Sequence, residues 1–165
     1  MELENHTAVQ TYIQLLADTL KRKTEVLNQL LELTERQELI IEAEDLNEEE
    51  FLRVISLKEE QLQVLDKLDS GFEKLYESVR EELTLGKEKY KEQVNFLKEQ
   101  ITVITDLSVR LQTLERRNKA KLEVIFATKR KNLKNARISS QTVANYYKTI
   151  SKQHEDQSFF YDKKN

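Results

Sequence analysis

The sequence has no cysteine, proline or tryptophan, and only two glycines among its 165 residues. Without cysteine there is no disulfide framework, no thiol nucleophile and no cysteine-based zinc site. Strands need turn residues about every ten positions, and two glycines without proline do not supply them. No apolar run of about 18 residues is present, so the sequence predicts no membrane span. The chain is therefore expected to be all-α, with very few connections.

Residues that commonly carry chemistry are also scarce. Neither histidine, His6 or His154, has a carboxylate three residues earlier, so the Glu-x-x-His pairs of di-iron bundles are missing. We expect both histidines to be solvated, and the many carboxylates to lie beside lysines on solvated helix faces. Two glycines do not build a phosphate-binding loop. No set of residues resembles a catalytic nucleophile with its general base. The sequence predicts no enzyme, no cofactor and no metal site.

Three long stretches carry apolar residues at steps of three and four, the spacing of one helix face. The predicted helices span residues 7–43, 48–85 and 87–137. Thr7 is expected to cap the first helix, and Asn47, followed by three glutamates, to cap the second. Gly86 is expected to end the second helix in a left-handed conformation. At Gly71, inside the second helix, a kink is favoured over a break.

The apolar stripes indicate how these helices associate. The third helix has a stripe from Tyr90 to Leu133 that needs other helices to cover it, since alone it would leave that stripe in water. The first helix is expected to touch two neighbours, because its stripe is widened by Leu15, Val26, Leu33 and Ile40. Short connections imply antiparallel neighbours. The sequence predicts an elongated, coiled-coil-like antiparallel bundle over residues 1–138.

A net charge of −3 conceals a strong segregation. Residues 1–60 contain fifteen acids and six bases, whereas residues 110–138 contain ten bases and two acids. Such a distribution either pairs one helix with another or presents a basic face to an acidic partner. Pairing with the first helix, or plain solvation, explains the basic segment, and we rank nucleic-acid binding last.

The character of the chain changes at residues 139–165, a polar tail with five aromatic residues. We expect a short amphipathic helix over Gln141–Ser151 and a disordered end over the last dozen residues. Its apolar side would hold Val143, Tyr146, Tyr147 and Ile150. The tail either folds back over the end of the bundle or serves as a partner-binding arm in a helix-in-groove mode. We favour the arm, because spaced aromatic residues bury a large area on docking.

The second helix, beginning at Asp45-Leu46, carries Ile55-Ser56-Leu57-Lys58-Glu59-Glu60-Gln61-Leu62. The third carries Leu111-x-x-Leu114-x-x-x-Asn118-x-x-x-Leu122, and the tail ends in Ser158-Phe-Phe-Tyr-Asp-Lys-Lys164. In this order of elements and these motifs, residues 10–150 resemble the FlgN-type flagellar export chaperones, in a clostridial-like variant. The polar tail beyond Ile150 is longer than the ends typical of that family.

The resemblance implies a cytoplasmic, non-enzymatic helical bundle that holds hook–filament junction (hook-associated) proteins before type III secretion. It places client contact at the far end of the third helix and in the tail, and docking to the export gate at Tyr146 or Tyr147. The predicted partner-binding residues are Leu122, Ile125, Phe126, Leu133, Val143, Tyr146, Tyr147 and Ile150. We expect residues 139–165 to be mobile in the free protein, and their loss to weaken partner binding without unfolding the bundle.

Two other functions fit the same sequence. One is a self-associating coiled-coil scaffold, such as a homodimer, because thin stripes and high charge suit it equally well. The other is a chaperone for a different flagellar or secreted client, such as the filament cap or flagellin. A membrane partner is not expected.

Overall fold

The computed structural model describes residues 2–128 and 141–152, with side chains from His6 onward in those ranges. The helices are α1 (Glu2–Glu42), α2 (Glu48–Leu85), α3 (Lys91–Thr128) and the short α4 at residues 141–152. No strand occurs within the two ranges. The predicted all-α bundle of three long helices with a short C-terminal helix is confirmed.

Helix α1 is the centre of the bundle, because α2 and α3 pack against it far more than against each other. The prediction that the first helix touches two neighbours is confirmed. Of the residues expected to widen its stripe, Val26 and Ile40 are buried and Leu33 is partly buried, whereas Leu15 is 43% exposed. Each long helix extends about 60 Å at 1.5 Å per residue, so the bundle is elongated.

Ion pairs and hydrogen bonds fix the directions of the helices. Helices α1 and α2 are antiparallel, since Arg36 pairs with Glu50 near their connection and Lys23 pairs with Asp69 far from it. Helices α1 and α3 run parallel, since Glu38 binds Arg117 at one end of the pair while His6 lies beside Tyr90 at the other. The chain therefore runs up, down and up again.

Helix α2 begins and continues as its sequence predicts. The Asn47 side chain accepts a hydrogen bond of 3.1 Å from the backbone N–H of Glu50, and three glutamates occupy the first turn. These acids lie where the partial positive charge of the helix N-terminus stabilises them. The helix is continuous through Gly71, as α3 is through Asn118.

The connection between α2 and α3 departs from the prediction in two ways. Gly86 ends α2 but has φ −100°, so it is not left-handed. The glycine is needed for space instead, since a Cβ there would lie 3.1 Å from the Tyr90 ring and 3.0 Å from the Glu82 carbonyl oxygen. Residues 86–90 form a turn, and α3 begins at Lys91 rather than at residue 87. The predicted stretch from residue 129 to 137 lies outside the described residues.

Helix α1 begins five residues before the predicted start, so the prediction that Thr7 caps it is wrong. The carbonyl of Thr7 accepts a hydrogen bond of 3.0 Å from the Thr11 hydroxyl, inside the helix. The extra turn brings His6 against Tyr90, with Nδ1 3.0 Å from the phenol oxygen and the rings stacked at 5.7 Å. The expectation that His6 is simply solvated is therefore wrong. His154 lies outside the described residues.

The charge segregation is explained in part by contacts between helices. Arg117 binds Glu38 at 2.7 Å, and Lys121 binds both Glu38 and Glu42. These pairs lie at the surface, where each contributes at most about 1 kcal/mol. Pairing of the basic segment with the acidic first helix is thus confirmed at Arg117 and Lys121.

Candidate functional site

Helix α4 packs against α2 and α3 through one apolar face. Its four buried side chains are those placed on one side by the sequence: Val143, Tyr146, Tyr147 and Ile150. The remaining positions of the helix are exposed or partly exposed. Both the short helix and its buried face were predicted correctly.

The sequence left open whether the tail folds back over the bundle or extends as a free arm. For residues 141–152, the structure shows the folded-back arrangement, in which they pack onto the bundle as a helix. The expectation that these residues are mobile in the free protein stays a prediction. Burial of each large apolar side chain is worth about 1.5–3 kcal/mol, so four of them on one face hold the helix against the bundle. Residues 139–140 and 153–165 of the predicted tail lie outside the described residues.

The other predicted partner-binding residues lie on α3. Leu122 is fully buried in the core, while Ile125 and Phe126 are partly buried and pack against it. Phe126, Val143 and Tyr147 line one cavity of about 520 Å³ between α3 and α4. Leu133 lies outside the described residues.

A single carboxylate oxygen joins the four helices beneath α4. Oε1 of Glu115, on α3, accepts a hydrogen bond of 3.1 Å from the Tyr146 hydroxyl of α4. The same oxygen binds Nζ of Lys58 from α2 and lies 3.0 Å from the Thr34 hydroxyl of α1. We call the surface around Lys58, Glu115 and Lys119 that α4 covers the α4 seat.

Lys58 is a fully buried cation, with no exposed side-chain surface. Besides Glu115, it donates a hydrogen bond of 3.0 Å to Oε1 of Gln37, and its Nζ lies 4.8 Å from the centre of the Tyr146 ring. Burial lowers the pKa of Lys58 to about 8, although the neighbouring Glu115 favours the charged form. Without these partners a buried ammonium would be strongly destabilising.

Asn118 extends this polar cluster by one helical turn. Its amide donates a hydrogen bond of 3.1 Å to the backbone carbonyl of Thr34, and the side chain is fully buried. A polar residue at one core position penalises a shift in helix register, because the shift would break its hydrogen bond. Asn118 therefore fixes α3 against α1.

The two tyrosines of α4 have different surroundings. The Tyr146 hydroxyl binds Glu115, whereas the buried Tyr147 hydroxyl has no hydrogen-bond partner among the described residues. Lys119 places its Nζ 5.9 Å from the centre of the Tyr147 ring. Burial, reinforced by the nearby Glu115 carboxylate, raises the pKa of both phenols. Both tyrosines therefore stay neutral at physiological pH.

The sequence reasoning missed Lys58 and Glu115, which it assigned to solvated helix faces. A signal was nevertheless present in the heptad spacing. Lys58 falls between Ile55 and Leu62 on the stripe of α2, and Glu115 falls between Leu111 and Asn118 on that of α3. Opposite charges at two seam positions of neighbouring helices are what a buried ion pair requires.

Residues 2–128 and 141–152 offer no candidate metal site by their composition and geometry. These residues contain no group of three or more histidine, aspartate or glutamate side chains that would hold a metal ion. No helix among them is long and apolar enough to cross a membrane. No protein-family model, curated protein or solved structure matches the chain.

Proposed function

We propose that this protein is a cytoplasmic, non-enzymatic export chaperone that holds amphipathic helices of hook–filament junction proteins before type III secretion. The support from sequence is the resemblance carried by Leu111, Leu114, Asn118 and Leu122. All four of these side chains are buried in the part of α3 that lies beneath or beside the α4 seat.

One observation carries the proposal: the bundle holds a short amphipathic helix in a groove between two long ones. Helix α4 contacts α2 through Lys58 and α3 through Glu115 and Lys119. Tyr146 of α4 contacts Glu115, well before the end of α3 at Thr128, so α4 folds back on α3 and is a separate element. An amphipathic helix that docks in a groove of its own bundle has an apolar face that suits docking on a helical client as well.

In the proposed mechanism, α4 leaves its seat and its four apolar anchors engage the client. Lys58 and Glu115 would gain water as α4 departs, and their hydration would offset part of the free energy that undocking costs. Docking to the export gate through Tyr146 or Tyr147 also requires this opening, since both rings are buried in the closed state.

Affinity capture from the lysate of the protein's own host tests the proposal. The full-length protein, the Tyr146→Ala/Tyr147→Ala double variant and the exposed-face variant Thr149→Ala are used as bait. We expect hook–filament junction or export-gate proteins on the wild type and on Thr149→Ala, and weaker capture on the double variant. Circular dichroism verifies that each bait remains helical.

Other results would point to other functions. Recovery of the protein alone, with a mass that rises with concentration, would favour a self-associating scaffold. Recovery of flagellin or cap proteins would keep the chaperone activity but change the client. Nuclease-sensitive recovery of nucleic-acid-binding proteins would favour the basic face of α3. Equal capture by the double variant would contradict the role of α4.

A further inference from the structure

The space between α2 and α3 has a second part, outside the α4 seat and nearer the turn at residues 86–90. In this second part, which we call the open groove, the two helices enclose a cavity of about 490 Å³. Its apolar lining consists of Phe72, Tyr76, Leu83, Val94, Leu97 and Ile101. The cavity ends at Ile101, about 21 Å along α3 from Glu115.

We propose that the open groove is a docking site for an amphipathic helix of a partner protein whose apolar stripe is flanked by acidic residues. Helix α4 is the precedent, because it docks against the same two helices at another place along their length. The open groove runs along α3 from Lys91 to Ile101, about 15 Å, which accommodates roughly three turns of helix. The described part of α4 is of similar length, at about 18 Å.

The lining of the open groove is suited to a helix. Phe72, Leu83 and Leu97 are buried and form its floor, while Tyr76, Val94 and Ile101 remain partly exposed. Val94, Leu97 and Ile101 follow at steps of three and four along one face of α3. A partner helix with the same spacing would place its apolar side chains between them.

Charge distinguishes the partner of the open groove from α4. The open groove carries the exposed lysines Lys87, Lys91 and Lys98 and a single acid, Glu88. In the α4 seat the basic Lys148 of α4 lines the same cavity as Glu123 of α3. Lys119 of α3 lines that cavity as well, so the rim of the α4 seat carries both signs of charge. The open groove has three lysines and one acid in its lining, which favours a helix with acidic residues beside its apolar stripe.

This proposal does not depend on the function proposed above, because its residues lie outside the α4 seat. It is tested with two fluorescein-labelled model peptides of about 15 residues, near the shortest length at which an isolated helix persists. Both carry leucines at steps of three and four; one has glutamates beside this stripe and the other has lysines. Fluorescence anisotropy measures their binding to the full-length protein.

The expected result is that the glutamate peptide binds at least about tenfold more tightly than the lysine peptide. The charge reversal Lys91→Glu/Lys98→Glu should invert that preference. The control reversal Lys21→Glu/Lys67→Glu changes two exposed lysines that do not line the cavity, and it should leave the preference unchanged. Val94→Lys should abolish binding of the glutamate peptide, whereas Val109→Lys, on an exposed face of α3, should not.

Three results would overturn the proposal. The first is that neither peptide binds, or that binding is insensitive to the Lys91→Glu/Lys98→Glu reversal. The second is that Tyr146→Ala/Tyr147→Ala removes binding while the charge reversal does not, which would place the peptide in the α4 seat. The third is self-association that Val94→Lys abolishes, which would make a second copy of the chain the occupant.

Discussion

The hydroxyl of Tyr146 donates a hydrogen bond to the same oxygen of Glu115 that binds the buried ammonium of Lys58. Through this contact the docking of α4 is linked to the ion pair that joins α2 and α3. Helix α4 is thus held in part by a buried polar cluster, and each side chain of that cluster can be substituted separately.

Tyr146→Phe is expected to weaken the docking of α4 by about 1–2 kcal/mol, because it removes one hydrogen bond to a charged acceptor. Tyr147→Phe is the matched control, since its buried hydroxyl has no hydrogen-bond partner among the described residues and its loss should be neutral or slightly stabilising. Hydrogen exchange of residues 141–152 measures both effects. Equal exchange in the two variants would show that the hydrogen bond to Glu115 does not hold α4.

Lys58→Met is expected to destabilise the protein by about 3–5 kcal/mol, because it leaves Glu115 buried without its cation. The double variant Lys58→Met/Glu115→Leu removes both charges and should recover most of that loss. Urea denaturation of the wild type, both single variants and the double variant completes a double-mutant cycle. Additive losses would mean that the two side chains do not act as a pair.

The pH dependence of stability follows from the pKa of Lys58, which burial lowers to about 8 from 10.5 in the unfolded chain. Between these values the unfolded state binds more protons than the folded state, so the contribution of Lys58 to the free energy of unfolding rises with pH. Relative to Lys58→Met/Glu115→Leu, which removes both charges, the wild type should gain on the order of 1–3 kcal/mol between pH 7 and 10.

The comparison with Lys58→Met/Glu115→Leu separates this effect from that of the tyrosines. Burial raises the pKa of Tyr146 and Tyr147, so the unfolded tyrosines ionise first near pH 10 and stability falls above it. Both variants contain these tyrosines, and their difference in stability cancels that contribution. A difference that stays flat from pH 7 to 10, measured by urea denaturation, would contradict a lowered pKa of Lys58.

The two glycines should respond to alanine with opposite signs. Gly71→Ala is expected to stabilise the protein by about 0.5–1 kcal/mol, because nothing lies within 4 Å of the added Cβ and alanine favours the helix. Gly86→Ala is expected to destabilise it by about 1 kcal/mol, since the Cβ would crowd the Glu82 carbonyl and the Tyr90 ring. Thermal denaturation compares them; stabilisation by both would show that Tyr90 does not press against Gly86.

Much of the fold was predictable because it follows from local rules. The scarcity of turn residues excluded strands, the steps of three and four placed the helices, and Asn47 with three glutamates fixed the start of α2. The buried face of α4 was predictable for the same reason, since Val143, Tyr146 and Ile150 repeat with the period of a helix. What the sequence determined by itself is therefore the set of helices and the side of each that is buried.

The tertiary structure decided what each buried side faces. Periodicity shows that Lys58 and Glu115 share a stripe with apolar residues, but a charge is buried there only because its partner arrives from another helix. The extra turn of α1 likewise brings His6 into contact with Tyr90, which lies far away in the sequence. Gly86 leaves room for the Tyr90 ring, and it does not have a left-handed backbone. Whether α4 docks on its own bundle or on a partner depends on the difference between two binding free energies. A local sequence pattern does not contain that difference.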